Sequence, residues 1–267
     1  MRLAWAFLKR DFTIELSYKI SFAVQILGTL VLLLIFSYLG MLMNSEEIPA
    51  LEKYGGSYMA FLLIGVSLTD CVTVSQRAFA KQIREGQLTG SLEVTLMSPV
   101  SLSRILIYSA IWPNLFSAIR FLIYLTAGTV LYQVGLENAN IPAALVMFIL
   151  AVTSFAGLGM IWAGIVLIIK RGESLITIVT FGMVIISGTL FPAELLPKWL
   201  QYVGMVIPLF YALDGMRLAL LQGHSIADLG QSIGIMILFS TVLITVGLLC
   251  FTRAVEVAKH NGTLSQY

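Results

Sequence analysis

Six long apolar stretches divide this chain, at residues 20–43, 57–80, 104–132, 142–169, 174–191 and 230–252. A helix that crosses a bilayer needs about 20 predominantly apolar residues. Five stretches clear that length comfortably, and 174–191 is marginal. The pattern predicts an all-α membrane protein with six transmembrane helices, forming a single transmembrane domain over residues 1–267. Residues 1–19 read differently. Trp5, Leu8, Phe12 and Leu16 recur at helical spacing, while Arg2, Lys9, Arg10 and Lys19 supply positive charge. That pattern predicts an amphipathic helix lying in the membrane interface; a soluble amphipathic helix packed on a partner is the alternative. Residues 253–267 read as a short polar tail.

Two connections are more than loops. Between the second and third stretches, residues 81–103 carry Leu88, Leu92, Val94, Leu96 and Met97 among Gly, Ser, Thr and Glu. This is too interrupted to cross lipid, and it predicts a short helix ended by Ser98-Pro99, because a residue before proline is pushed out of the helical region. Leu88, Leu92 and Leu96 recur every four positions and so line one side of that helix. After the fifth stretch, residues 192–223 contain Pro192, Pro197 and Pro208 with Trp199, Tyr202, Phe210 and Tyr211. An apolar but repeatedly broken segment predicts re-entrant or interfacial helices, tolerated where protein or water satisfies the backbone.

Composition agrees with burial in lipid. Of 267 residues, 58% are hydrophobic and 11% charged, against about 25% charged in a soluble domain. The net charge of +2 argues against nucleic acid as a partner, since such binders show a clustered basic face. Cys71 and Cys250 lie in apolar runs and read as small packing residues rather than a disulfide or metal site. His224 and His260 lack the neighbours a metal cluster needs. No cleavable leader is expected. The Asn261-Gly262-Thr263 sequon reads as a chance match in the tail.

Lysine and arginine alternate between connections. Arg2, Lys9, Arg10 and Lys19, then Arg77, Lys81, Arg84 and Arg104, then Lys170 and Arg171, then Arg253 and Lys259 fall on one side. The intervening loops carry mostly Glu and Asp, with Lys53, Lys198 and Arg217. By the positive-inside rule this predicts a multi-pass protein with both termini in the cytoplasm. Gly157, Gly159, Ala163 and Gly164 in the fourth stretch allow close helix approach.

The stretch from Glu85-Gly86 through Gly90-Ser91-Leu92-Glu93 to Ser98-Pro99-Val100-Ser101 resembles the cytoplasmic segment of type-2 ABC transporter permeases. Ser187-Gly188-Thr189-Leu190-Phe191-Pro192, Leu196-Pro197, Trp199-Leu200, Pro208-Leu209 and Tyr211 through Arg217 resemble that family's fifth-span exit. The resemblance covers essentially the whole chain. No single motif in it is as specific as a phosphate-binding loop, and the joint order of both motifs within a six-span layout is fairly specific. It implies an exporter membrane subunit of a bacterial or archaeal cytoplasmic membrane. That subunit pairs with itself or a similar permease and with two ATPase subunits. The cargo is a drug, lipid, lipid-linked glycan or polysaccharide. Leu88, Leu92, Glu93, Leu96, Ser98 and Pro99 are then the ATPase-coupling element. Phe191, Pro192, Pro197, Trp199, Pro208, Tyr211 and Arg217 help close the outer exit. No G-x-x-x-x-G-K-[ST] loop occurs in the sequence. ATP and Mg are therefore expected on the partner, with no cofactor and no enzyme activity in this chain.

Asp70 and Arg120 fall well inside predicted spans, where an ionisable group costs about 2.5–3.5 kcal/mol. They are expected to face the interior, as a structural ion pair or along a substrate path. Glu93 reads as a charged contact to the ATPase or as the solvated face of a helix. Asp214 and Arg217, three apart, are expected to form a local ion pair. An ion-coupled secondary carrier, which usually shows paired broken helices in its two halves, an intramembrane enzyme and a non-transporting membrane docking protein are the competing readings.

Overall fold

The computed structural model describes residues 2–17, 49–90, 102–169 and 172–260, with isolated helical positions between Ile20 and Tyr38. Among the described residues every regular element is a helix. The expected first span at 20–43 therefore lies largely outside them. The helices are α1 (Arg2–Ser17), α2 (Tyr58–Leu88), α3 (Leu102–Ser109), α4 (Ile111–Tyr132), α5 (Ile141–Ile169), α6 (Glu173–Ile186), α7 (Lys198–Gly204), α8 (Pro208–Leu221) and α9 (Gly230–His260). Short 3-10 turns occupy Pro49–Tyr54 and Ala193–Leu195.

Among the described residues, four helical stretches are long and apolar enough to cross a membrane: Tyr58–Leu88, Arg104–Tyr132, Ile141–Ile169 and Gly230–His260. They coincide with the second, third, fourth and sixth predicted spans. α7 and α8 pass the same test only together, and they are bent by 87° at the break between them.

Local chemistry explains the boundaries. The Ser57 hydroxyl accepts from the Ala60 amide and starts α2. Gly90, at φ +68°, turns the chain just beyond its end. Asn140 caps α5 by accepting from the Ala143 amide at 3.1 Å. Pro208 opens α8, where its missing N–H costs nothing, and Ile207 before it is extended.

The boundaries depart from expectation in three places. α2 runs two turns beyond residue 80, so Leu88 ends the span helix rather than beginning a separate one. α9 continues to His260, well into the expected tail. α6 stops at Ile186, five residues short of the expected 191, because the turn beginning at Ser187 places Gly188 at φ +77°. Its 14 residues reach about 21 Å, less than a hydrocarbon core of about 30 Å.

α2 is the central helix. Of its most apolar window 67% is buried, against 17% for α9. α9 presents Ile237, Leu238, Val242, Val246 and Leu249 outward, the stripe expected to meet lipid. The core between α2, α5, α8 and α9 is filled by Phe61, Ile64, Leu68, Met147, Phe155, Leu213, Met216 and Met236. α5 and α9 cross with almost no side chain between them. A Cβ on Gly157 would sit 2.5–2.7 Å from the Leu243–Ile244 backbone, and one on Gly247 would strike the Gly157 carbonyl. Ser154 and Ser240 hydroxyls bond across that seam at 2.8 Å. The small residues expected to permit close approach do so here.

α1 docks on the third span through aromatic rings, Phe7 with Tyr108 and Phe12 edge-on to Trp112 at 5.2 Å. Trp5, from the expected apolar stripe, instead points outward.

Candidate functional site

The sequence-predicted residues fall into three places. One end of the bundle gathers the Pro49–Tyr54 turn, the Ser187–Pro192 turn, α7 and α8. The Tyr58 hydroxyl donates to the Leu190 carbonyl, and the Asn140 amide donates to Ala219. At the centre of this end sits Arg217, only 2% exposed. Its Nε donates to the Phe61 carbonyl at 3.2 Å, Nη1 to Gly188 at 2.9 Å and Nη2 to Thr189 at 3.0 Å. The guanidinium lies 3.3 Å from the Phe61 ring centroid. One planar cation thus ties α2, the turn after α6 and α8 together, using the fork geometry that lysine lacks.

The expected Asp214–Arg217 pair does not form. Asp214 accepts from Lys53 and from the Tyr54 hydroxyl at 2.7 Å. Residues three apart on a helix share a face, but three converging carbonyls hold Arg217 and draw it away from that partner. Burial first, and then the Asp214 carboxylate, pushes the Tyr54 hydroxyl above its ordinary value, so it stays a neutral donor.

Glycine permits this closeness. A Cβ on Gly65 would collide with the Thr189 carbonyl, and Gly188 holds its left-handed turn beside Ala193. Thr69 and Thr189 hydroxyls bond at 3.1 Å across the same contact.

A cavity of about 230 Å³ opens beside this network, lined by Lys53, Pro192, Glu194, Gln201, Asp214 and Arg217 among others. Of the expected exit residues, Pro192 is buried on its wall, and Phe191 and Tyr211 are half-buried. Pro197 and Pro208 set the starts of α7 and α8. Trp199 is 66% exposed. Lys53, Tyr54 and Gly65 were not singled out from the sequence. The signal in the sequence was the Gly55-Gly56 pair just after Tyr54, and both glycines turn the chain at positive φ.

Asp70 and Arg120 do meet. Arg120 Nη2 lies 3.2 Å from Asp70 Oδ2, joining α2 to α4 inside the membrane region. The pair stands at the end of a second cavity, about 690 Å³, that reaches along α2 toward Lys81 and is closed on one side by α1.

Leu88 ends α2 and is 61% exposed. Leu92, Glu93, Leu96, Ser98 and Pro99 lie outside the described residues. Among the described residues, no three or more His, Cys, Asp or Glu side chains gather to hold a metal ion.

The family model for ABC-2 family transporter proteins matches residues 44–249. No curated protein matches the chain.

Proposed function

Because the chain belongs to the ABC-2 transporter family, whose membrane subunits are generally not enzymes, we propose that it is the permease of an ATP-driven exporter. It moves a hydrophobic or amphipathic cargo outward: a drug, a lipid, or a lipid-linked glycan or polysaccharide. Two ATPase subunits bind and hydrolyse ATP with Mg, and a second copy of this chain or a similar permease completes the pathway in a bacterial or archaeal cytoplasmic membrane. Both termini are cytoplasmic.

The observation that carries this reading is the bent α7–α8 pair, held over the ends of α2 and α6 by Arg217. A broken helix pair anchored at a single buried cation suits a barrier that must open and reclose. The opposite end suits energy input. There α2 extends to Leu88, and residues 89–101 lead directly into the third span. Force applied to that connection passes into the central helix, and Leu88, Leu92 and Leu96 fit a groove on the ATPase, with Glu93 beside them.

The test is reconstitution with the cognate ATPase. Replacing Leu92 and Leu96 by Ser is expected to loosen ATPase binding or to uncouple hydrolysis from cargo movement, with membrane insertion intact. A double variant that binds its ATPase and transports normally sinks this assignment of the coupling element. Transport by the permease without any ATPase sinks the ATP-driven reading itself.

A further inference from the structure

The second cavity is unlike the first. At about 690 Å³ it falls within the range of roughly 300–1,000 Å³ typical of small-molecule sites, whereas the outer cavity, at about 230 Å³, does not. It lies between α1, α2 and the third span. Its lining includes four cations, Arg10, Arg77, Lys81 and Arg120, and three anions, Asp11, Asp70 and Glu85.

Three of the cations are matched. Arg10 pairs with Asp11 at 2.7 Å, Lys81 with Glu85 at 3.7 Å and Arg120 with Asp70 at 3.2 Å. Arg77 has no ion-pair partner among the described residues, so the described lining carries one excess positive charge. Arg77 lies about 10 Å along α2 from Asp70, on the stretch that the cavity follows.

The cavity wall is short of hydrogen-bond partners at two points. Ser109 Oγ and Arg120 Nε are buried with no hydrogen bond among the described residues, and both residues line the cavity. Ser109 as a whole is only 5% exposed. Buried polar atoms in native proteins nearly always find a partner, so two of them on the wall of one cavity point to a polar occupant. Apart from Thr73 and Gln82, the remaining wall is apolar and aromatic: Val74, Ala78, Trp112, Pro113 and Phe116.

We propose that this cavity binds the headgroup of an anionic phospholipid, with the monoanionic phosphodiester at Arg77, glycerol hydroxyls toward the Ser109 end, and acyl chains leaving along the aromatic wall. A phosphodiester supplies the one negative charge that the site lacks and acceptor oxygens for the guanidinium. A bound lipid also seats α1, whose Phe7 and Phe12 already dock on the third span. The inference rests on the proposed function only for which leaflet supplies the lipid. Its test uses the permease alone, so it can fail without bearing on ATP-driven transport.

The experiment is lipid titration of the purified full-length chain, read by native mass spectrometry. The probes are phosphatidylglycerol, phosphatidylcholine and inorganic phosphate. Phosphatidylglycerol is expected to bind more tightly than phosphatidylcholine, and millimolar inorganic phosphate is expected to leave it bound. Arg77→Gln is expected to weaken phosphatidylglycerol binding about fivefold, with Arg77→Lys restoring most of it. Lys259→Gln, a cation of the same side near the end of α9, is expected to change nothing. Arg77 is exposed, so its loss does not threaten folding. Equal binding of the two lipids, displacement by inorganic phosphate, or an equal effect of Lys259→Gln would each overturn the proposal. So would an Arg77→Gln variant that binds phosphatidylglycerol as the wild type does.

Discussion

Replacing Arg217 by Met is the sharpest test of the anchored helix pair. Methionine fills much of the same volume but removes three hydrogen bonds, to Phe61, Gly188 and Thr189, and the contact with the Phe61 ring. A hydrogen bond to a charged donor contributes about 1.5–3 kcal/mol, so three at the lower figure amount to about 4–5 kcal/mol. Burying the guanidinium is itself costly, and the variant recovers part of that penalty. A net loss of about 2–4 kcal/mol follows. For a chain of this size that lowers the melting temperature by about 5–10 °C.

Cys71 provides the assay. It is fully buried beside Ser117, so its reaction with a maleimide reports unfolding, with Cys250→Ser removing the exposed thiol. Arg217→Lys keeps the charge but not the fork, and is expected to melt near the Met variant. Melting of both variants within about 1 °C of the wild type would refute the idea that this network holds the end of the bundle together. A lysine variant as stable as the wild type, with methionine unstable, would show that charge alone is enough.

Three further outcomes follow from the geometry. In a double-mutant cycle, Asp70→Asn alone is expected to destabilise more than Asp70→Asn with Arg120→Gln, with a coupling of about 1–3 kcal/mol, because a lone buried charge costs more than none; additive thermal shifts would show that the 3.2 Å pair has no energetic content. Gly157→Leu is expected to cost about 3 kcal/mol or more by forcing α5 and α9 apart, whereas Gly164→Ala, whose Cβ meets its nearest atom at 3.4 Å, is expected to be tolerated, and size-exclusion profiles with melting curves compare the two. Single cysteines at Ser91 and Gly172 are expected to resist an impermeant thiol reagent in intact cells while one at Glu47 reacts, and labelling of Ser91 from outside would reverse the proposed orientation.

That the chain is helical and membrane-spanning was legible from the order of its residues alone. The spans at 57–80, 104–132, 142–169 and 230–252 were legible because a bilayer imposes a minimum apolar length, and run length is a local property. The break between α7 and α8 was legible for a similar reason, since Pro208 acts on its own neighbours. Asp70 and Arg120 stood out because charge is conspicuous in an apolar run, though only the fold could bring them to 3.2 Å. The early end of α6, the partners of Arg217, the tie from Lys53 and Tyr54 to Asp214, and the cavity against α1 were not legible. Each depends on groups far apart in sequence, Phe61 and Gly188 converging on Arg217, or Arg10 arriving beside Arg77. Helix spacing alone offered Asp214 as the partner of Arg217. The fold assigns the partners differently, because Phe61, Gly188 and Thr189 present three carbonyls that match the guanidinium fork while Lys53 and Tyr54 take up Asp214.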